Sequence, residues 1–397
     1  MERFVTKNQV TRQHSQSERS RAAEKRVADA KINRTLLLVM TVLILLTALT
    51  AAGQASFLKN GNISISGGDY SELKDDAEIF AEAAALSTAR ETVYEEIKIE
   101  IPDYCPVNYA ASSPIAMVYD KTDGAVLYAK NTDEKCSTAS LSMLMTASAA
   151  MDIAPDGYQF VAGEEIDLVK EDAPTANISK CFAFNKKEIS NGIVMKGASD
   201  ISYTAAACLG RLLSEDNDIS AEKAVSKFVD YMNVTAKNIG AANTHFANPD
   251  GYYDESNYTT AEDMMRIALF AMDHEEVAES AGKASASGKL ASGQSYDWLN
   301  TNNTVIPESS LYNECITGLK IGSTNVSGYC AAISANVRGH EIVCIVMNSP
   351  SSDDRYLDVN NLLEITSSYL EEQGAYETEE NAGSEESTET SAEILEG

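Results

Sequence analysis

The sequence predicts an α+β domain in which antiparallel strands from both ends of a helical region join into one sheet. Residues 115–129 (IAMVYDKTDGAVLYA) contain two apolar runs joined by Asp-Lys-Thr-Asp-Gly, a pattern typical of a β-hairpin. Residues 328–348 repeat the pattern, with Arg338-Gly339-His340 as the turn. The sequence between the hairpins is mostly helical, so we expect helices to flank an antiparallel sheet.

Composition indicates a chain with a substantial core and an uneven charge distribution. Its 397 residues are 44% hydrophobic, which is enough for one or two domains. The formal charge is −29, yet residues 1–34 carry nine Lys/Arg and four Asp/Glu, so the acidic excess lies in the remainder. Such an acidic remainder would repel phosphates, which argues against nucleic acid as a partner.

Residues 35–53 (TLLLVMTVLILLTALTAAG) contain no charge and predict a transmembrane signal anchor. The basic flank before them should stay in the cytoplasm, which places the main domain outside the cell membrane. Small residues in TALTAAGQA leave a cleaved signal peptide open as a rival reading, although the basic region is long for one. A buried core helix fits the one-sided charge less well.

The remaining segments follow from composition. We predict a basic cytoplasmic tail at residues 1–34, a linker and helical stalk at 54–104, the main domain at 105–372 and an acidic disordered tail at 373–397. The helical pattern of the stalk runs from about residue 70 to residue 98. The tail is rich in Glu and has no Lys or Arg, which is typical of a solvated segment.

Seven cysteines are widely spaced and include no CxxC pair, so their spacing predicts no metal site, and nothing in the sequence implies a cofactor. An odd number leaves at least one unpaired in a monomer. Cys208, Cys330 and Cys344 lie in apolar runs, where a free thiol is an ordinary core residue.

Four segments, in order along the chain, resemble the serine D-alanyl-D-alanine carboxypeptidases, the low-molecular-weight penicillin-binding proteins of peptidase family S11. They are 113–148 (SPIAMVYDKTDGAVLYAKNTDEKCSTASLSMLMTAS), 243–272 (NTHFANPDGYYDESNYTTAEDMMRIALFAM), 298–330 (WLNTNNTVIPESSLYNECITGLKIGSTNVSGYC) and 351–370 (SSDDRYLDVNNLLEITSSYL). The resemblance implies the penicillin-binding protein and β-lactamase-like serine transpeptidase fold. It also implies acyl transfer from peptidoglycan stem peptides ending in D-Ala-D-Ala, at a site built from S-x-x-K, S-x-N and K-T-G.

By this resemblance, the S-x-x-K motif falls on Ser140-Leu141-Ser142-Met143. A residue three positions after the nucleophile lies one helical turn away, where a lysine amine can accept the hydroxyl proton. Met143 stands at that position, and its thioether is too weak a base for the task. Ser140 is therefore a nucleophile position without its general base. Taken alone, the stretch would read as a helix N-cap before a buried helix.

The S-x-N motif falls on a run that places Gly197 at the Ser position and Ser199 at the Asn position. The first change removes a proton relay, and the second replaces an amide with a shorter hydroxyl. Lys196, directly before this turn, is a minor candidate for a replacement amine.

The K-T-G motif falls on Lys320-Ile321-Gly322, where the cation and the glycine remain. Lys320 is expected to attract a substrate carboxylate, and Gly322 to let the strand backbone approach the ligand. Ile321 replaces a hydroxyl and is expected to narrow the cleft. The resemblance implies an oxyanion hole formed by the backbone N–H groups of Ser140 and Ser323.

Two other patterns favour structural roles. Ser220-Ala-Glu-Lys223 fits S-x-x-K literally but lies in a charged amphipathic stretch. His245 has no recognisable Ser or Asp partner, so a Ser-His-Asp triad has little support.

The sequence leaves two functions open. The losses at positions 143, 197, 199 and 321 favour a catalytically impaired relative, a pseudoenzyme that binds stem peptides or a cell-wall enzyme. The alternative is an active serine carboxypeptidase in peptidoglycan maturation, with Ser140 as the acyl-enzyme nucleophile.

Overall fold

The structure is a computed structural model that describes residues 94–214 and 216–393, with side chains as far as Gly374. The predicted cytoplasmic tail, the membrane anchor at 35–53 and most of the linker and stalk lie outside these residues. Within them, no helix is both long and apolar enough to cross a membrane.

A five-stranded antiparallel sheet forms the centre of the domain. Its strands are β1 Ile115–Asp120, β2 Ala125–Lys130, β9 Ile316–Thr324, β10 Gly328–Val337 and β11 His340–Ser349. They lie in the order β2-β1-β11-β10-β9. Both predicted hairpins are confirmed, and they pair with each other through β1 and β11, as expected for terminal strands that share one sheet. Three short pairs lie outside it: β3 Cys136–Ser137 with β6 Tyr258–Thr259, β4 Phe160–Val161 with β5 Ala183–Phe184, and β7 Ser285–Lys289 with β8 Ser295–Leu299.

Both faces of this sheet are covered, because successive residues of a strand point to opposite sides. On β1, Met117 and Tyr119 belong to the larger apolar core, whereas Ala116 and Val118 belong to a second core. The second core includes Val359 of the closing helix. The larger core holds most of the helical residues. The architecture is the predicted α+β arrangement of helices around an antiparallel sheet.

Seven α-helices surround the sheet in the described residues. They are α1 Met143–Ile153, α2 Lys186–Ser190, α3 Ser199–Ser214, α4 Ala221–Asn238, α5 Ala261–Met272, α6 Glu275–Gly282 and α7 Ser352–Glu393. Ser220 is the N-cap of α4 and its hydroxyl accepts from the Lys223 N–H, which confirms a structural role for that second S-x-x-K match. His245 is likewise structural, since its Nδ1 contacts the Ser256 carbonyl at 2.6 Å.

Residues 94–98 do not form the helix that the stalk prediction extends to residue 98. They run as an irregular segment along the helical side of the domain. The Tyr94 hydroxyl donates to Asp152 at 2.5 Å, and the Ile97 N–H donates to the Ile239 carbonyl at 3.1 Å. These tertiary bonds replace the intrahelical bonds that the local pattern favours.

Helix α7 continues to Glu393, well into the segment predicted as a disordered tail. Its composition explains the difference, because Glu and Ala are good helix formers and no proline interrupts the run. The prediction of disorder weighed charge alone.

Candidate active site

Ser140 lies in a short 3₁₀ turn, Ala139–Ser142, that leads directly into α1. The Leu141 N–H donates to the Thr138 carbonyl at 3.3 Å, and the Ser142 hydroxyl donates to the Ala139 carbonyl at 3.1 Å. Ser142 is buried, whereas Ser140 is partly exposed. The turn therefore separates the two hydroxyls: Ser142 holds the backbone and Ser140 is available to solvent.

Two glycines pack against this turn so closely that no side chain fits at either position. A Cβ at Gly322 would lie 2.8 Å from the Ser140 nitrogen, and a Cβ at Gly251, which has φ +73°, would overlap the Ala139 carbonyl. Strand β9 and the loop after Pro249 thus hold the turn from two sides. The position of Ser140 is fixed by backbone contacts.

Met143 is fully buried in the larger apolar core, as are its neighbours through Ala150 on the first turns of α1. Its side chain supplies packing at the position where the resemblance implies an amine. A lysine here would have to place its charge among apolar groups, which is costly without a partner. Met143 therefore has a packing role in the structure.

Gly197 lies next to the end of the Lys320 side chain. Gly197 has a left-handed backbone, with φ +66° and ψ +42°, and a Cβ built on it would lie 2.9 Å from Lys320 Nζ. The lysine amine therefore borders the space that a side chain at position 197 would enter. Lys196, the preceding residue, is partly buried and does not line the cavity described below.

Lys320 is 2% exposed, and no residue in the described part of the chain forms a hydrogen bond or ion pair with its ammonium group. Burial alone lowers the pKa of Lys320 from 10.5 to about 8, because the charged form loses its hydration. An unpaired cation in such a place is unusual, since buried charges are normally paired.

Ile321 points away from this group. It packs against the second apolar core, on the opposite face of β9 from Lys320 and Gly322. Met143 belongs to the larger core, so the two apolar replacements lie on different sides of the sheet. The expectation that Ile321 narrows the cleft is wrong, because a branched side chain at this strand position has an apolar core available to it.

A cavity of about 440 Å³ opens above the turn. Of the predicted site residues, Ser140, Ser199 and Ser323 line it, whereas Met143, Gly197, Lys320, Ile321 and Gly322 do not. No Lys or Arg is among its described lining residues, which carry mainly hydroxyl and carboxylate groups. The full lining is Ser140, Asp172, Ala173, Pro174, Ser199, Asp250, Gly251, Tyr252, Tyr253, Ser323, Thr324, Asn325 and Val326.

Asp250 is a cavity residue that sequence reasoning missed. It is 3% exposed, and burial raises the pKa of its carboxyl group, while hydrogen bonds from the Ser199 side chain and the Tyr252 N–H oppose that rise. The only sequence signal is the Asn-Pro-Asp-Gly run, which predicts a turn and gives no indication of burial. Asp250 and Ser199 together place a hydrogen-bonded polar pair on the cavity wall.

Two loops line the cavity, the first at residues 172–178 and the second at residues 250–253. Both carboxylate oxygens of Asp200 accept backbone N–H groups, from Ala176 at 2.9 Å and Ile178 at 3.1 Å, and so anchor the first loop to α3. The Tyr252 hydroxyl of the second loop donates to Asp172 at 2.8 Å. The tips of the loops are therefore joined.

Arg355, at the start of α7, was also missed. It is 4% exposed, its Nη1 donates to the carbonyls of Gly322 and Cys330 at 3.4 Å, and its Nε has no acceptor. The guanidinium packs over the Tyr356 ring, 4.3 Å from its centroid. Arg355 therefore contacts the backbone of β9 and β10, and this position depends on the tertiary fold rather than on the local sequence.

Comparison with known proteins agrees with this architecture. Residues 105–351 match the family described as D-alanyl-D-alanine carboxypeptidase, Peptidase_S11. The chain is 25% identical over 266 residues to D-alanyl-D-alanine carboxypeptidase DacF of Bacillus subtilis, covering 66% of this chain and 64% of that protein. It is 27% identical over 249 residues to a D-alanyl-D-alanine carboxypeptidase of Streptomyces sp., covering 60% and 82%.

Solved structures show the same fold. The Streptomyces DD-transpeptidase superposes with a TM-score of 0.57 at 23% identity, covering 65% of this chain and 98% of that one. Penicillin-binding protein D2 of Listeria monocytogenes, solved with ampicillin bound, gives a TM-score of 0.52 at 24% identity, with the same coverage. Because the family match spans more than half of its length, the chain belongs to the D-alanyl-D-alanine carboxypeptidase family, peptidase S11.

Proposed function

We propose that this protein is a cell-wall protein that binds peptidoglycan stem peptides at the Ser140 cavity and has little or no carboxypeptidase turnover. The observation that carries the proposal is the full burial of Met143 in the apolar core, one turn after a partly exposed Ser140. General acid–base help is worth about 10²–10⁴ in rate. Its loss would leave the Ser140 hydroxyl at the cavity without the lysine base that the family motif supplies.

The substrate class comes from the family, whose members named above are D-alanyl-D-alanine carboxypeptidases. A peptide terminus would meet the hydroxyls of Ser140, Ser199 and Ser323 and a strand edge at β9. These groups can form hydrogen bonds with a peptide without cleaving it, as the proposed binding role requires. A cell-wall enzyme that presents such a peptide is the other occupant consistent with this surface.

We also propose that residues 35–53 anchor the protein in the cell membrane, with the N-terminus in the cytoplasm and the S11 domain outside. The uncharged run and its basic flank support this orientation. Protease added to intact spheroplasts is expected to degrade the S11 domain and spare the basic tail. Protection of the S11 domain in intact spheroplasts would contradict it.

An active carboxypeptidase is the second candidate, and Lys320 favours it. Its amine has a lowered pKa, about 8, so a fraction is unprotonated near neutral pH, and it borders the family motif at Gly197. Such an amine has the basicity that Met143 lacks. The two candidates predict opposite outcomes in one experiment.

The test is covalent labelling of the full-length protein, purified in detergent, with a fluorescent penicillin. We expect no labelling of the native protein, and labelling in a Met143→Lys variant that disappears when Ser140→Ala is added. Ser112→Ala is the control, because it removes an exposed hydroxyl that does not line the cavity. Native labelling that is lost in Ser140→Ala would establish the second candidate.

Met143→Lys buries a charge and is checked for folding by circular dichroism. Direct binding keeps the proposal open to refutation if that variant unfolds. Calorimetry is expected to show that the native protein binds a peptide ending in D-Ala-D-Ala, does not bind its L-Ala-L-Ala counterpart, and releases no D-alanine. Equal affinity for both peptides would remove the binding role.

A further inference from the structure

A cluster of potential metal ligands lies at the end of the sheet remote from Ser140. His340 Nδ1 is 2.8 Å from Asp120 Oδ2 and 3.6 Å from Asp123 Oδ2, and the three ligand atoms lie within 4.8 Å of one another. His340 begins β11, whereas Asp120 ends β1 and Asp123 lies in the turn between β1 and β2. No other such group occurs in the part of the chain that the structure describes.

The position of the cluster separates it from the candidate active site. His340 pairs with Val337 at one end of β10, and Gly328 pairs with Thr324 at the other end, beside the cavity. A strand of ten residues spans about 30 Å, at roughly 3.3 Å per residue. A ligand at His340 would therefore occupy a site of its own.

The charges at this site are incompletely balanced. Asp120 is 1% exposed and its Oδ1 accepts the backbone N–H groups of Thr122 and Asp123, which leaves Oδ2 directed at His340. Lys121, between the two aspartates in the sequence, is engaged with Asp273 at 3.3 Å and with Glu341 at 3.4 Å. His340 thus faces one buried and one exposed carboxylate, and a buried carboxylate normally has a cation or a metal as partner.

We propose that Asp120, Asp123 and His340 form a divalent metal site of the zinc class. One imidazole nitrogen and two carboxylate oxygens are ligands that Zn²⁺ accepts, and ligand atoms bound about 2.1 Å from the ion lie roughly 3.4 Å apart. The two distances from His340 Nδ1, 2.8 and 3.6 Å, bracket that value, and all three ligand atoms lie within 4.8 Å of one another. Asp123 is 58% exposed, so water has access to complete the coordination.

A bound ion would replace the His340–Asp120 hydrogen bond with two metal bonds and tie the β1–β2 turn to the first residue of β11. The ligands come from positions 220 residues apart, so the ion would close a long loop in the folded chain. Its role would be to stabilise the sheet, independently of acyl transfer.

The test is calorimetric titration of the full-length, EDTA-treated protein with ZnCl₂ in detergent, after its cysteines have been alkylated with N-ethylmaleimide. One equivalent is expected to bind, and Asp123→Asn is expected to weaken binding at least tenfold. Asp123 is on the surface, so the fold should survive this change. Asp133→Asn, which removes an exposed carboxylate after β2, is the matched control and should bind as the native protein does.

His340→Gln is the second variant, and it should also weaken zinc binding at least tenfold while leaving the affinity for a peptide ending in D-Ala-D-Ala as in the native protein. An absence of zinc binding to the native protein would overturn the proposal. So would an affinity that is the same in the native protein and Asp123→Asn, since the metal would then bind elsewhere.

Discussion

At the scale of single residues, two buried side chains at motif positions differ in their cost to stability. Met143 is buried in an apolar core, which suits its side chain. Lys320 is 2% exposed, and among the described residues its ammonium group has no hydrogen-bond or ion-pair partner. The desolvated charge of Lys320 therefore destabilises the folded state, whereas Met143 carries no charge to desolvate.

Replacing Lys320 with Met is therefore expected to stabilise the fold near neutral pH. Since the folded pKa is about 8 and the unfolded one about 10.5, the native state holds fewer protons between these values, and its stability rises with pH there. Removing the group should raise the free energy of unfolding by roughly 3 kcal/mol at pH 7, from 1.36 kcal/mol per pKa unit. Urea unfolding at pH 7 and pH 9 measures the effect.

Lys289→Met, at an exposed strand position, is the matched control and should change little. The gain from Lys320→Met should shrink at pH 9. A loss of stability in Lys320→Met would mean that the ammonium has a favourable partner in solution.

At the scale of elements, two glycines allow β9 and a loop to pack closely against the turn before α1. Gly322 lets the strand pack against the Ser140 turn, and Gly251 admits the loop on the other side.

The hairpins at 115–130 and 328–349 were predictable from the sequence because alternating apolar runs and turn residues are local signals. Burial of Asp250, Lys320 and Arg355 was not, because each depends on segments far away in the chain.

The same distinction between local and distant contacts separates the site residues that the sequence placed from those that it did not. Ser140, Ser199 and Ser323 were assigned from the family resemblance, and all three line the cavity. The side of the strand on which Ile321 lies could not be taken from spacing, since that requires knowing which core each face of β9 meets. The His340 cluster escaped notice because its ligands come from the opposite ends of the domain.

Gly322→Ala is expected to disturb both the fold and the cavity, because its Cβ would lie 2.8 Å from the Ser140 nitrogen. Overpacking of this kind typically costs about 1–3 kcal/mol. Urea unfolding measures the loss, and peptide affinity should fall as the Ser140 turn is displaced. Gly288→Ala, in strand β7 with only one contact at 3.9 Å, provides the control. Equal effects of the two substitutions would contradict the packing argument.

At the scale of the whole molecule, residues 94–97 tie the start of the described chain to the helical side of the domain. Tyr94 donates to Asp152 and is 2.9 Å from the Tyr231 hydroxyl, and His274 Nε2 lies 3.0 Å from Asp152. Burial alone would lower the pKa of His274, but the hydrogen bond and charge of Asp152 outweigh it, and the net pKa is raised above 6.5.

This network predicts a pH-dependent stability. A histidine whose folded pKa is raised contributes fully below its unfolded value of about 6.5, and the contribution is lost as pH rises through the folded pKa. His274→Gln should remove that slope, as measured by urea unfolding between pH 5 and pH 8. His245→Gln, at an exposed position, should retain it. An unchanged slope in His274→Gln would show that the dependence arises elsewhere.

The contacts of Tyr94 also determine where a pulling force on the preceding chain reaches the domain. Asp152 lies near the carboxyl end of α1, and the amino end of that helix follows the Ser140 turn. A pull on the chain before residue 94 would therefore act on α1 through Asp152 and on α4 through Tyr231, and α1 would transmit it along its axis over roughly 15 Å, at 1.5 Å per residue. If residues 35–53 hold the protein in a membrane, tension between membrane and cell wall would be delivered to the turn that carries Ser140.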